Sequence, residues 1–301
     1  MPHRRSDADG SCSPSSGSRS SQLCRGAAPA SGAGEVPEVP SAETGGSPEQ
    51  AAVAVPKGPP SQRLRRCVHL WFQIQRSLRN PAIGQPGAGA SLYCDMSDGG
   101  GWTVVQRRID GSELFNRSWT EYKNGFGDKS GAGEFWFGNE NLHYLTDQGN
   151  YSVRIILGDF EGSQSYAEYN NFRLGPEQSD YRLSFGAYSG TAGDALSGNY
   201  QVGVSGWASH QGAKFSTYDR DNDNYAGGKC AQEDKGGWWF NRCHSAHLNG
   251  LYYPSGPYSA VTDDGVVWVT WRGWWYSLKT TVMKLRPADF KEDPLSDLNY
   301  V

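Results

Sequence analysis

The sequence has little that would place it in a membrane, a fibre or a complex with nucleic acid. No apolar run approaches the ~18 residues that a membrane-spanning helix needs. The net charge is only −4 and both signs are interspersed, so no basic field attracts nucleic acid. The first residues are basic and then rich in Ser, Gly and Pro, without the apolar stretch of a secretory signal. We therefore exclude the collagen, coiled-coil and transmembrane classes, and we expect no nucleic-acid partner.

Aromatic residues are missing before Trp71, and this absence divides the chain into two unlike parts. Gly, Pro, Ser and Ala supply 37 of the first 60 residues. Such a segment cannot bury enough apolar area to offset the entropy that ordering it would cost. The sequence therefore predicts a disordered leader over residues 1–61.

Residues 62–90 are predicted to be a basic amphipathic connecting segment, because apolar side chains recur at helical spacing among arginines that lack nearby acids. A solvated connecting helix is the favoured interpretation. The alternatives are a helix on a membrane surface and a proprotein-convertase cleavage site at Arg63-Leu64-Arg65-Arg66. Residues 291–301 are predicted to be a short tail.

Between these segments, residues 91–290 have the alternation of strands and glycine turns that is typical of an α+β domain. Apolar and polar residues alternate over 181–185 and over 281–286, which predicts two half-buried strands. The runs at 153–157 and 266–269 are more apolar and predict strands that are more deeply buried. We expect one antiparallel sheet, few and short helices, and long structured loops.

One short helix has clear boundaries in the sequence. Ser118 stands three residues before Glu121, which is the spacing of a capping box. Gly125 can end the helix in the left-handed conformation.

Cys230 and Cys243 enclose a short loop, and a disulfide between them is the favoured interpretation. The alternative is a zinc site, because His244 and His247 follow at once. Structural zinc sites usually space paired ligands two to four residues apart, so the gap between the two cysteines does not suit zinc. Two glycosylation sequons, at Asn116 and Asn150, also fit an exported protein in an oxidising compartment.

An acidic loop precedes Cys230 and reads Asp219-Arg220-Asp221-Asn222-Asp223-Asn224-Tyr225. Carboxylates at every second position can turn several oxygens toward one cation, which suits calcium. The EF-hand pattern fails here, because Cys230 stands where that pattern needs glutamate. A solvated acidic turn is the alternative, and Gly227 and Gly228 favour a metal because they free backbone carbonyls to coordinate it.

No pattern typical of a catalytic site occurs in this sequence. Ser205 lacks the second glycine of a nucleophile elbow, and the Gly-Lys-Ser order of a phosphate loop is broken around Lys129. We therefore predict that the protein is not an enzyme.

Several longer segments resemble the fibrinogen C-terminal domain family. They are Tyr93-Cys94-Asp95-Met96, Gly100-Gly101-Trp102-Thr103-Val104-Val105-Gln106-Arg107-Arg108, Trp238-Trp239-Phe240-Asn241-Arg242-Cys243-His244-Ser245-Ala246-His247-Leu248-Asn249-Gly250, Trp274-Trp275-Tyr276-Ser277-Leu278-Lys279 and Met283-Lys284-Leu285-Arg286-Pro287. The resemblance covers residues 91–290. It implies a secreted binding domain without enzymatic activity, made of a twisted antiparallel sheet and a loop-rich subdomain for calcium and ligand.

The resemblance also implies particular site residues. The calcium ligands would be the carboxylates of Asp221 and Asp223 and the carbonyls of Tyr225 and Gly227. Cys67 stands near the family's position for a disulfide partner of Cys94. The ligand pocket would lie beside the Cys230–Cys243 disulfide, where the bond between Arg242 and Cys243 would be cis. Its side chains would include Glu233, Asp234, His244 and Asp263.

The pocket chemistry favours a protein partner over a sugar. In the fibrinogen chains of the family this pocket takes the charged amino end of a peptide, which three carboxylates here would suit. The lectins of the family, which bind acetyl groups, have aromatics at the positions of Asp234 and Val261, and both are missing. The alternative is that these acids are surface charges and that binding uses another face.

We therefore predict a secreted signalling ligand, stabilised by calcium, for a cell-surface protein receptor. The alternatives are a pattern-recognition lectin for acetylated sugars and a structural protein that associates with fibrin or matrix. A homo-oligomer is compatible with all three. The absence of a signal sequence is what an aberrant gene model of the N-terminal region would produce.

Overall fold

The structure is a computed structural model that describes residues 93–290. The predicted leader (1–61), connecting segment (62–90) and tail (291–301) lie outside these residues, as does Cys67. Within residues 93–290, no helix has both the length and the apolar character needed to cross a bilayer.

Most strands join one antiparallel sheet, as the sequence predicts. In chain order they are β1 Cys94–Asp95, β2 Trp102–Arg108, β3 Phe126–Gly127, β4 Phe135–Trp136, β5 Tyr151–Gly158, β6 Gln164–Tyr169, β7 Arg173–Leu174, β8 Leu183–Ser184, β9 Tyr188–Gly190, β10 Ala246–His247, β11 Val267–Trp268 and β12 Thr280–Pro287. The main sheet has the order β3-β4-β2-β12-β5-β6-β9, with β1 paired to β2. The pairs β7–β8 and β10–β11 form two small separate sheets.

The helices are short, as expected for this class. They are α1 Trp119–Asn124, α2 Asn139–Asp147, α3 Ser205–Ala208, α4 Cys230–Glu233 and α5 Val269–Arg272, with a 3-10 turn at Glu177–Ser179. The predicted capping box is confirmed at α1, where Ser118 and Glu121 each bond the other's backbone N–H. Gly125 ends the helix at φ 83°, a backbone conformation that favours glycine.

The last strand of the domain lies at the centre of the main sheet. β12 pairs with β2 on one side and with β5 on the other, both antiparallel. Buried residues alternate along β5, so one face of the sheet packs against the core. The predictions of strands at 153–157 and 281–286 are confirmed.

Two other strand predictions were wrong in extent. Over 181–185 only β8 is extended, because Asp180 and Tyr181 adopt the left-handed conformation at φ 55° and 48°. The turn buries the Tyr181 ring and lets its hydroxyl donate to Glu140 at 2.6 Å. The run Val266–Val269 gives the two-residue strand β11, and α5 begins at Val269.

Strand β2 connects the sheet to the loop-rich half of the domain. Arg108 is buried and donates from Nη1 to the carbonyl oxygens of Leu248 and Gly250, at 3.1 and 2.8 Å. Gln106 donates to the same Leu248 carbonyl at 3.0 Å. Residues 248–250 end the long family segment, so the sheet fixes the segment that carries the candidate site.

Buried Glu134 supports Arg108 from the other side. Its carboxylate lies 3.6 Å from the Arg108 Nε and accepts four backbone N–H groups, from Ile109, Asp110, Gly111 and Glu113. These four hydrogen bonds replace the hydration that the Glu134 carboxylate loses on burial.

Candidate functional site

A disulfide and a short helix gather the polar residues of the candidate site. Cys230 and Cys243 are joined by a disulfide, with their Cα atoms 5.5 Å apart. Helix α4 begins at Cys230 and ends at Glu233, with Asp234 as its C-cap, and both acids line the cavity beside the bridge. The peptide bond between Arg242 and Cys243 is cis, as the family resemblance implies.

All six residues predicted for the ligand pocket line one cavity of about 370 Å³. They are Glu233, Asp234, Arg242, Cys243, His244 and Asp263. The cavity has five further lining residues that the sequence analysis did not assign to the pocket, namely Trp207, Tyr225, Thr262, Trp274 and Trp275. The cavity therefore combines several acidic side chains with several aromatic side chains.

His244 lies at the floor of the cavity between two carboxylates. Its Nε2 atom is 3.4 Å from Asp234 Oδ2 and 3.5 Å from Asp263 Oδ2. The His244 and Asp234 side chains are buried, whereas the Asp263 side chain is 32% exposed. Burial alone would lower the pKa of His244, but the two carboxylates outweigh it and hold that pKa above its ordinary value.

A second histidine positions Asp234. His247 is buried, and its Nε2 atom is 3.0 Å from the Asp234 carbonyl oxygen, to which it donates in the neutral form. Burial, followed by the neighbouring charge of His244, lowers the pKa of His247 well below its ordinary value. His247 therefore stays neutral at physiological pH and fixes the backbone at Asp234.

The aromatic wall of the cavity is formed by side chains from distant parts of the chain. Trp207 and Trp274 stack with their ring centroids 5.9 Å apart and their planes at 22°. Trp275 is 48% exposed and Tyr225 is 37% exposed, and both residues line the cavity. Val261, whose position carries an aromatic in the lectins, is fully exposed and is not among the lining residues.

The predicted calcium loop is a compact turn next to the disulfide. Asp223 accepts the backbone N–H groups of Tyr225 and Cys230 with its two carboxylate oxygens, both at 2.8 Å. Asp221 accepts the Asp223 N–H at 3.3 Å. Burial and the charge of Asp221 raise the pKa of Asp223 to about 6, although the two N–H bonds oppose this rise.

This arrangement fits a bound cation. Two neighbouring carboxylates repel each other, and a calcium ion would relieve that repulsion while taking further oxygens from exposed backbone. The predicted ligand residues Asp221, Tyr225 and Gly227 are exposed, and Asp223 is half-buried. Asp219 is directed elsewhere, since it accepts the Trp119 N–H at 2.9 Å and the Thr217 hydroxyl at 2.7 Å.

The remaining predicted residues lie on the surface. Asn116 and Asn150 are both exposed, so glycosylation at the two sequons would meet no steric obstacle and stays a prediction. Cys94 is half-buried in β1, and its predicted pairing with Cys67 falls partly outside the described residues.

The fold, the disulfide and the acidic cavity define a fibrinogen-type globular domain. Residues 84–288 match the family model described as "Fibrinogen beta and gamma chains, C-terminal globular domain". The match covers more than half of the chain, and the chain belongs to this family.

Within the family, curated and solved relatives are highly similar. Fibrinogen-like protein 1 of Homo sapiens, also called hepassocin, is 63% identical over 207 residues, which cover 68% of this chain and 66% of that protein. The segments 124–127, 188–194 and 207–211 already resemble that relative in sequence. The fibrinogen gamma chain of Mus musculus is 46% identical over 211 residues, covering 65% of this chain and 48% of that protein. The chain thus spans just under two thirds of the length of the first of these relatives.

Two solved structures share the fold at high identity. The fibrinogen-like globe domain of human ANGPTL2 is 46% identical with a TM-score of 0.60, covering 65% of this chain and 85% of that one. Lamprey fibrin D-dimer, solved with the peptide ligand Gly-His-Arg-Pro-amide, is 44% identical with a TM-score of 0.64, covering 68% of this chain and 67% of that one.

Proposed function

We propose that this protein is a secreted, non-enzymatic signalling ligand, similar to fibrinogen-like protein 1, that binds a cell-surface protein receptor. The observation that carries the proposal is the acidic cavity, which combines three carboxylates with an aromatic wall and can hold a basic group of a protein partner. Glycosylated, disulfide-bonded chain in the medium of mammalian cells that express it would support secretion. Retention as a reduced, unglycosylated species would contradict it.

The charges around the cavity favour a cationic ligand. Glu233, Asp234 and Asp263 are acidic, and exposed Arg242 is the one lining residue that is always positive. A low-dielectric floor formed by buried side chains strengthens the attraction between these carboxylates and an ammonium group. A solved relative binds Gly-His-Arg-Pro-amide, a peptide that combines a free amino end with a basic side chain and no carboxylate.

The test uses that peptide and its N-acetylated form as probes. We expect the free peptide to bind and the acetylated peptide to bind at least about tenfold more weakly, because acetylation removes a charge-assisted hydrogen bond of about 1.5–3 kcal/mol. Asp263→Asn should weaken binding of the free peptide by a similar factor. Asp128→Asn removes an exposed acid outside the cavity and serves as the matched control. Equal binding of the two peptides would contradict the proposal.

We also propose that the loop of Asp221 and Asp223 binds calcium. Calorimetry should detect one calcium ion per chain, and Asp221→Asn together with Asp223→Asn should abolish it. Calcium should also raise the melting temperature, since a ligand that binds only the folded state stabilises that state. Calcium uptake that survives both substitutions would place the ion elsewhere.

A pattern-recognition lectin is the second candidate, and the aromatic wall favours it. The stacked rings of Trp207 and Trp274 offer an apolar face to an acetyl methyl or a sugar ring. Retention on an acetylated-sugar resin, reversed by calcium chelation and lost in Trp274→Ala, would support the lectin. If the protein binds the free peptide but not the resin, the result contradicts the lectin and supports the signalling ligand.

A further inference from the structure

The floor of the cavity has three metal-ligating side chains within coordination range of one another. One ligand atom each from Asp234, His244 and Asp263 lies within 4.8 Å of the other two. Within residues 93–290 this is the only such group of three or more His, Cys, Asp or Glu side chains. The calcium loop, with two carboxylates, is a separate feature of the chain.

The distances of His244 Nε2 to the two carboxylates are those of ion pairs, and they also fit a shared metal ion. The two contacts of His244 Nε2, at 3.4 and 3.5 Å, exceed the usual 2.7–3.2 Å of an N–H···O bond. A tetrahedral ion with bonds of about 2.0–2.2 Å holds neighbouring ligand atoms about 3.3–3.6 Å apart, because a tetrahedron's edge is about 1.6 times its centre-to-corner distance. Both contacts therefore match the edge of a tetrahedral zinc site.

Two of the three ligand atoms are buried polar atoms that contact each other at 3.4 Å but make no hydrogen bond within residues 93–290. His244 Nε2 and Asp234 Oδ2 are inaccessible to solvent and make no hydrogen bond within the described residues. The imidazole and the carboxylate belong to side chains that are 0% and 3% exposed. A buried polar atom without a hydrogen bond is costly, and coordination of one ion would satisfy both atoms at once.

The donor set selects the kind of metal. One imidazole and two carboxylates suit zinc and its neighbours, whereas calcium requires six to eight oxygen ligands. The disulfide occupies both cysteines, so the alternative zinc site with cysteine ligands does not form. Asp263 is half-exposed on the cavity side, which leaves a fourth position open to water or ligand.

We propose that Asp234, His244 and Asp263 bind a zinc ion at the floor of the cavity. The ion would replace the negative charge of the floor with a Lewis acid whose open position faces the cavity. Zinc and the ammonium group of the proposed peptide ligand would compete for Asp234 and Asp263, so zinc binding is measured without peptide.

The test is zinc titration of the full chain by calorimetry, without peptide and with calcium saturating. We expect one zinc site that Asp263→Asn weakens by about tenfold or more, because even outer partners of metal ligands contribute about 10–100-fold. Asp263 is half-exposed, so this substitution leaves the buried floor intact. His244→Gln should abolish the site, with circular dichroism to check that the variant folds.

Controls separate this site from others. His143→Gln, which removes a half-buried histidine outside the cavity, and Asp128→Asn, which removes an exposed acid outside it, should both leave zinc binding unchanged. Cobalt as a probe should give the intense visible absorption of a tetrahedral site, and Asp263→Asn should remove it. Zinc binding that Asp263→Asn and His244→Gln leave unchanged, or no zinc uptake at millimolar concentration, would overturn the proposal. The peptide experiment is run with calcium present and zinc removed beforehand, so that its outcome does not depend on the zinc site.

Discussion

At the scale of single residues, His210 shows how one buried side chain links stability to pH. Its Nδ1 atom lies 2.7 Å from the Trp239 carbonyl oxygen, so this nitrogen carries the proton. Its Nε2 atom accepts the backbone N–H groups of Ser245 and Ala246, at 3.3 and 3.2 Å. Protonation of Nε2 would place its N–H opposite these two backbone N–H donors, which is unfavourable. Burial lowers the pKa of His210 to about 3.

Acidification should therefore destabilise the domain through His210. The pKa in the unfolded chain is about 6.5, so this contribution is complete above pH 6.5 and is lost as pH falls toward 3. The loss is at most about 1.4 kcal/mol per pH unit. Urea unfolding at pH 7.5, 6 and 5 should show the free-energy difference between the parent and His210→Gln shrinking slowly from pH 7.5 to 6 and approaching this rate from pH 6 to 5. The other titrating groups are common to both proteins, so their effect cancels in the difference between the two free energies of unfolding. A difference that does not change with pH would therefore contradict the prediction.

At the scale of elements, the capping box of α1 can be tested without disturbing the core. Ser118→Ala should lower the free energy of unfolding by about 1 kcal/mol, because one helix N–H loses its acceptor. The same change also removes the sequon of Asn116. Asn116→Gln is the matched control, since it removes the sequon and leaves the cap. Urea unfolding should separate them, and equal stabilities of the two variants would contradict the role of the cap.

Local patterns predict some elements of this fold and miss others. The capping box and the alternation in β5 and β12 depend on neighbours in sequence, and the structure confirms them. The strand predicted over 181–185 is cut short because the turn at Asp180 and Tyr181 is set by burial of the Tyr181 ring in the core. Alternation alone does not reveal that tertiary constraint.

The candidate site was predictable in part for a similar reason. Its charged residues stand in recognisable family segments, so their positions could be read from the chain. The aromatic wall depends on Trp207 meeting Trp274 across the fold, and no spacing in the sequence shows that contact. The opposition of Asp234 and Asp263 across His244 likewise arises only when the chain folds.

At the scale of the whole molecule, the buried pair Arg108–Glu134 joins the sheet to the segment that carries the site. Glu134→Gln should lower the free energy of unfolding by about 3 kcal/mol, because it removes the carboxylate charge that faces the buried Arg108 guanidinium. The matched control is Glu168→Gln, whose partner Arg154 lies 2.7 Å away in a more exposed pair. That control should cost no more than about 1 kcal/mol. Chemical denaturation measures both, and similar losses would show that the buried pair has no special role.

The central place of β12 has a consequence for biosynthesis. Strands β3, β4 and β2 connect to β5, β6 and β9 only through β12 in the order of the main sheet. Synthesis proceeds at about 5–20 residues per second, so β2 exists for roughly 10–35 seconds before β12 is made. During that interval β2 and β5 each lack their β12 neighbour, and the nascent chain presents two strand edges open to aggregation. We therefore expect chaperones to bind the nascent domain until β12 has been synthesised and paired.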